Sequence, residues 1–282
     1  TRGLGLSRLP LMGKGECKAM RKELKRAFTS PMFFLSALVF FLTLQGYALP
    51  VYLDNLAHEP LKFRESALTL SLGGIFFGGA ILLQPFCSPT AHAVSQVDDL
   101  RSGIMRWSVL RSSVVNYVAR KAFVAFLSAS AAIGGAFAIH SLLWNVLALP
   151  YDPLAYPNHE VYFAEETLFY AWSHIAYALP IYLHITLGLA FSAGVWSITA
   201  LAAAVWIPDK LLAVTIPACL YQLWSGGLIY HLFGVRLISP STLFNDWQTP
   251  ERVRQALIAY GVLLVISLAV YYAGVKRRAC YG

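Results

Sequence analysis

Charged side chains are scarce in this chain. They make up 13% of its 282 residues, about half the roughly 25% of a soluble domain, which excludes an ordinary water-exposed surface. The four cysteines, Cys17, Cys87, Cys219 and Cys280, match no metal-site spacing and read as free, structurally passive thiols. No G-x-x-x-x-G-K-[ST] loop is present. Gly13-Lys14-Gly15 lacks both the spacing and the hydroxyl that would hold magnesium, so this chain has no cradle for hydrolysing ATP. The H-E-x-x-H and G-x-S-x-G motifs are also missing, which argues against an enzyme and against a catalytic metal.

What is abundant is apolar. Hydrophobic residues reach 57%, aromatics 14%, and mean hydropathy is +0.58. Such a chain offsets its ordering entropy by burial and is not disordered. It belongs in a bilayer. Six stretches carry no Asp, Glu, Lys or Arg: Thr29 to Leu53, Ser66 to Val97, Ala122 to Tyr151, Thr167 to Pro208, Leu211 to Val235 and Gln255 to Val275. Each exceeds the ~20 residues that a helix needs to cross ~30 Å of hydrocarbon.

The net charge of +8 would raise the question of nucleic acid in a soluble protein, but the placement of the charges assigns them to topology. With six spans and both termini inside, the inner segments 1–30, 88–121, 208–210 and 276–282 hold 8, 5, 1 and 3 basic residues, 17 of the 22. The outer loops hold the other 5, together with 9 of the 14 acidic residues. A seventh helix within the fourth stretch would expel Lys276, Arg277 and Arg278. The expected organisation is therefore a cytoplasmic N-terminus, 1–30; a six-helix domain, 31–275, with spans about 31–53, 67–87, 122–148, 177–206, 211–235 and 255–275; and a cytoplasmic tail, 276–282. The Pro31 to Leu53 run is too long for a signal-peptide core of about 7 to 15 residues.

Two inner segments are amphipathic. Over Lys14 to Phe28, Cys17, Met20, Leu24 and Phe28 form one apolar stripe among six Lys and Arg residues, the pattern of a helix lying in the membrane interface. In the 88–121 loop, Val97, Leu100, Ile104 and Trp107 repeat at helical spacing with charges between them. That helix is either a surface element or a handle for a soluble partner. After the fifth span, Leu243, Phe244 and Trp247 suggest a segment that dips into the membrane.

The residues Lys22-Glu23-Leu24-Lys25-Arg26-Ala27-Phe28, Asp99-Leu100-Arg101-Ser102-Gly103 and Tyr117-Val118-Ala119-Arg120-Lys121 resemble the ABC-2 type permease pattern, as does the order of basic elbow helix, six spans, large first inner loop and basic tail. Asp99 stands where that family commonly has Glu. The resemblance implies an all-α integral membrane protein of the type V exporter kind, in a cell membrane of bacterial cytoplasmic type. It implies a permease paired with a separate ABC ATPase subunit, which would bind the ATP and magnesium, and dimerised with itself or a second permease. The coupling contacts would come from Asp98, Asp99, Arg101, Ser102, Ile104, Arg106 and Trp107, with Gly103 allowing a close approach or a bend, and the elbow would use Lys22, Glu23, Lys25 and Arg26. Gly74 and Gly78 of span two, with Tyr221, Trp224 and Tyr230 of span five, would line the pathway or a dimer seam. A proton- or ion-coupled carrier is the competing reading, and an intramembrane enzyme a weaker one. A carrier usually places charged residues inside the bilayer, and the expected spans hold only histidines, among them His140 and His184.

The charge split generates a test of topology. In a cysteine-free background in intact cells, single cysteines at Asp54, Tyr156 and Asn245 are expected to react with an impermeant thiol reagent, and one at Ser102 is not. Labelling at Ser102 overturns the six-span arrangement.

Overall fold

The computed structural model describes residues 14–58, 66–148, 179–225, 239–245 and 249–281; among them the chain is helical, with no strand. In chain order the helices are α1 (Lys14–Phe28), α2 (Pro31–His58), α3 (Ala67–Phe76), α4 (Ala80–Thr90), α5 (Ser95–Arg101) and α6 (Ile104–Arg111). They are followed by α7 (Val114–Leu147), α8 (Leu179–Trp206), α9 (Lys210–Ser225), α10 (Thr242–Asn245) and α11 (Pro250–Tyr281). Four of them, α2, α7, α8 and α11, are long and apolar enough to cross a membrane. The chain is thus a helical protein with several membrane-crossing candidates. A helix is what such runs must form, because hydrocarbon offers backbone groups no other partner.

The helices outgrow the uncharged runs. The apolar run beginning at Ala122 is entered from Val114, where the Ser113 side chain caps the helix by accepting from the Asn116 N–H at 3.1 Å. At 34 residues α7 is ~51 Å long, well beyond the hydrocarbon thickness, so its first two turns have room for polar partners. Helix α8 is the axis of the bundle. Of its most apolar window 83% is buried, against 22% for α2 and for α11. It packs against α4, α7, α9, α10 and α11, while α2 packs on α3, α4 and α7. The outward faces of α2 and α11 are apolar and exposed, with Phe34, Leu38 and Leu42 on one and Ile258, Val262 and Val265 on the other. Those faces suit lipid.

The second expected span, 67–87, is not one straight helix. It breaks between α3 and α4, and the two parts meet at a bend of 72° when α4 is followed on to Arg101. Gly79 at the break has φ +75°, a left-handed conformation that a helix interior does not permit and that a side chain would strain. The small residues Gly74 and Gly78 beside the break pack closely against α2 inside the chain. A Cβ on Gly74 would stand 2.7 Å from the Leu44 carbonyl oxygen and 3.1 Å from His140 Nε2; one on Gly78 would stand 2.9 Å from the Thr43 carbonyl oxygen. The backbones of α3 and α2 approach this closely only because both positions lack side chains.

The aromatic residues expected on span five also turn inward. Tyr221 is buried, its ring 5.7 Å from that of Trp196 on α8; Trp224 lies 5.2 Å from Tyr260 on α11. These contacts knit α8, α9 and α11 into one core. Tyr230, the 226–235 part of span five and Trp247 lie outside the described residues. The segment after span five does enter the bundle: Leu243 and Phe244 are buried, and Gly188 of α8 gives them room, since its Cβ would meet that of Phe244 at 3.0 Å.

Candidate functional site

Five segments distant in sequence meet at one end of the bundle: α1, α5, the start of α7, the turn between α8 and α9, and the end of α11. The centre is Lys121, eight residues into α7 and 1% exposed. An ammonium group has three N–H donors and no acceptor. Here all three find oxygen: Glu23 Oε1 of α1, Asp99 Oδ2 of α5 at 2.5 Å, and Ser95 Oγ at 3.2 Å. The other oxygen of Asp99, itself 3% exposed, accepts from Arg26 Nη1 at 2.9 Å. Two carboxylates face two cations, so the cluster is neutral in sum, the condition under which buried charge is tolerated.

His92 completes it, with Nε2 3.4 Å from Glu23 Oε1 and 3.5 Å from Ser95 Oγ. Burial works to raise the Glu23 pKa, but the His92 hydrogen bond and the charge and hydrogen bond of Lys121 outweigh it, holding the carboxyl well below the usual range. Burial lowers the His92 pKa, with Lys121 and Arg26 acting the same way against the upward pull of Glu23. Neutral His92 and ionised Glu23 are the stable pair at neutral pH.

Helix α5 is held on more than one side. Gln96, one turn before Asp99, accepts with Oε1 from Tyr117 OH of α7 at 3.0 Å and from Tyr271 OH of α11 at 2.9 Å. Asp98 pairs with Lys210 of α9 at 2.7 Å, and Arg101 donates to the Pro208 carbonyl at 3.0 Å. Arg278 near the end of α11 donates to the carbonyls of Val205 and Trp206, occupying acceptors that the last turn of α8 leaves open.

Helix α6 is held mainly through Met105, which is buried and whose Sδ accepts from Gln96 Nε2 at 3.7 Å. The single amphipathic helix expected through Val97, Leu100, Ile104 and Trp107 is instead two, parted at Gly103 with φ +72°. No atom lies within 4 Å of where a Gly103 Cβ would stand, so of its two expected uses the glycine serves the bend and not a close approach. The bend splits the apolar stripe. Val97 is fully buried, while Ile104, Trp107 and Leu110 are 50%, 66% and 79% exposed.

The expected coupling residues therefore divide. Asp99 is an internal ion-pair partner and not a surface contact, because both its oxygens are engaged within the chain. Arg101, Ser102, Ile104, Arg106 and Trp107 are exposed, and Asp98 is partly so. In α1, Lys22 and Lys25 are exposed, while Glu23 and Arg26 join the cluster. The packed face of α1 runs through Glu23 and Ala27, the latter fully buried; Met20, Leu24 and Phe28 of the expected stripe are only half-buried. Lys121, His92, Gln96 and Tyr271 were not anticipated as site residues. One signal was present: Glu23 stands amid Lys18, Arg21, Lys22, Lys25 and Arg26, and an acid set in a basic run asks for a partner.

In comparisons with known proteins, the chain matches no family model, no curated protein and no solved structure.

Removing one member of the cluster leaves its partners buried and uncompensated, which typically costs about 3–5 kcal/mol. Lys121→Met is expected to lower the thermal midpoint of the purified chain sharply, whereas Arg106→Ala, on the exposed helix, leaves it within about 0.5 kcal/mol of the parent. Equal midpoints for the two variants would remove the cluster from its structural role.

Acidification acts on the same contacts. Glu23 is held below its ordinary 4.5 and His92 below its ordinary 6.5, so on lowering the pH the unfolded chain takes up both protons first. Their stabilisation is complete above about pH 6.5 and is lost as pH falls through the folded-state values. Thermal midpoints measured from neutral to about pH 4 should decline, and more shallowly below about pH 5 for Glu23→Gln. Identical acid limbs for parent and Glu23→Gln would contradict this.

Proposed function

We propose that the chain is the membrane-spanning permease subunit of an ATP-driven exporter, with α5 and α6 as the element pressed by a separate ATP-hydrolysing subunit. One observation carries the reading: α5 is tied by ion pairs and hydrogen bonds to α1, α7, α9 and α11, while the adjoining α6 leaves Ile104, Trp107 and Leu110 exposed. A push on α6 passes into α5 and from there to four other helices, so a contact made outside the membrane is delivered to the bundle as one body. The sequence resemblance supplies the ABC-2 family and the direction of transport, and the lack of a phosphate loop supports an ATPase on another chain.

Among the described residues four helices, or five spans with the bent α3–α4 pair, are long and apolar enough to cross, and in this reading the sixth span begins with the 16 residues of α9. Basic residues Arg26, Arg101, Lys121, Lys210 and Arg278 all bond at the same end, which is the cytoplasmic end in this reading. The permease would dimerise with itself or a homologue through the outward apolar faces of α2 or α11, since the glycines of α3 are occupied within the chain.

The docking surface is then α6, with Trp107 at its centre and Arg101 and Arg106 beside it. Trp107→Ala, at an interface that excludes water, should cost about 2 kcal/mol or more. Arg106→Ala should cost about 0–1 kcal/mol, as exposed charges do. Co-purification of the ATPase subunit is therefore expected to fall roughly 30-fold for Trp107→Ala, with membrane insertion unchanged because Trp107 is exposed in the chain alone. Unchanged partner binding and transport in that variant would refute the coupling assignment. Proton-driven uptake by the purified chain alone in vesicles would favour the carrier.

A further inference from the structure

A groove of about 720 Å³ opens beside the ion-pair cluster, between α1, the first residues of α2, the α4–α5 connection and the first turn of α9. Its walls have two characters. Arg26, Lys210 and Asp98 line it together with Met32, Leu211 and Val214. The volume falls within the ~300–1,000 Å³ of small-molecule sites and is far larger than a single inorganic anion needs.

The groove sits where the chain changes solvent. Basic α1 ends at Phe28, and α2, whose most apolar window has mean hydropathy 1.8, begins at Pro31. Apolar side chains lead away from the groove along the same helices: Phe34, Leu35 and Leu38 on α2, and Leu211 on α9, are all more than half exposed. The cations at the rim are half exposed and only partly used. Arg26 donates one N–H to Asp99 and Lys210 one to Asp98, out of five and three donors respectively. The charge of Asp98 is offset by Lys210 at 2.7 Å, and exposed Arg21, Lys22 and Lys25 add positive potential on α1.

We propose that this groove binds an anionic phospholipid, its phosphate between Arg26 and Lys210 and its acyl chains along Met32, Leu211 and Val214. A zwitterionic lipid fits the same apolar wall but brings its own cation to a cationic rim. The site requires only that the chain lie in a membrane and is independent of what it transports. It has a structural consequence: Arg26, His92 and Ser95 line the groove and also belong to the cluster around Lys121 and Asp99. A lipid phosphate on Arg26 therefore touches the contacts that hold α1 to α5.

The test uses the full chain purified in neutral detergent and titrated with phosphatidylglycerol, with phosphatidylcholine of the same acyl chains, and with inorganic phosphate. Binding is read by native mass spectrometry and by the shift in melting temperature. A basic residue near an anionic surface contributes about 1 kcal/mol, or roughly fivefold in affinity. Phosphatidylglycerol is expected to bind at least about fivefold tighter than phosphatidylcholine, and Lys210→Gln to remove most of that preference, the more so as it leaves Asp98 uncompensated. Val214→Trp fills the apolar wall without touching a charge and is expected to abolish lipid binding, so either variant decides if the other misfolds. Equal binding of the two lipids, or full retention of phosphatidylglycerol by a folded variant, overturns the proposal. Stabilisation by inorganic phosphate alone, or its displacement of the lipid, also overturns it in favour of a free-anion site.

Discussion

A buried ammonium group left without acceptors is costly, and much of one end of this molecule follows from the three oxygens that surround Lys121. Its acceptors come from α1 and from α5 with the residue that begins it, neither of which adjoins α7 in sequence. Meeting them fixes α1 against the bundle at a point where its apolar stripe is only half covered. It also fixes α5, whose Asp99 is shared between Lys121 and Arg26. Because two carboxylates balance two cations, no member of the group is dispensable: each is the compensation for another.

The same end shows how rigidity and exposure are divided over a few residues. Gln96 and Asp99 lie three positions apart on one face of α5 and hold it to α7, α11 and α1. Gly103 then turns the backbone through a left-handed conformation, and the next helix buries Met105 but presents Ile104, Trp107 and Leu110 outward. A continuous helix would have carried Ile104 and Trp107 onto the face that buries Val97. The glycine thus decides whether Ile104 and Trp107 belong to the core or to the surface.

The bend at Gly79 has a comparable effect within the apolar region. Gly74 of α3 and Gly78 just after it lie close on α2, while α4 departs at an angle and, besides α2 and α7, reaches α8 and α9. One uncharged stretch of sequence therefore gains packing partners beyond the bend. The aromatic residues of α9 are enclosed in a similar way: Trp196 and Tyr260 approach Tyr221 and Trp224 from the neighbouring helices.

Which parts could be read in advance depended on the range of the physics involved. The helical class, the long apolar helices and the extent of α1 from Lys14 to Phe28 were determined by the sequence itself, because hydropathy and 3.6-residue periodicity are local properties that the backbone obeys wherever the helix ends up. The candidate site was legible only in pieces: Glu23 and Arg26 stood out on the elbow and Asp99 in the 88–121 loop, but not their pairing with Lys121 or the histidine beside them. Pairing across 22, 73 and 98 residues is not written in any window of the chain. Tertiary structure alone decided that Asp99 faces inward, that Gly74 and Gly78 serve α2, and that Gly79 and Gly103 bend the backbone. In each case the deciding quantity is what stands opposite the residue, a carbonyl oxygen, a cation or open space, and that is set by how the helices pack.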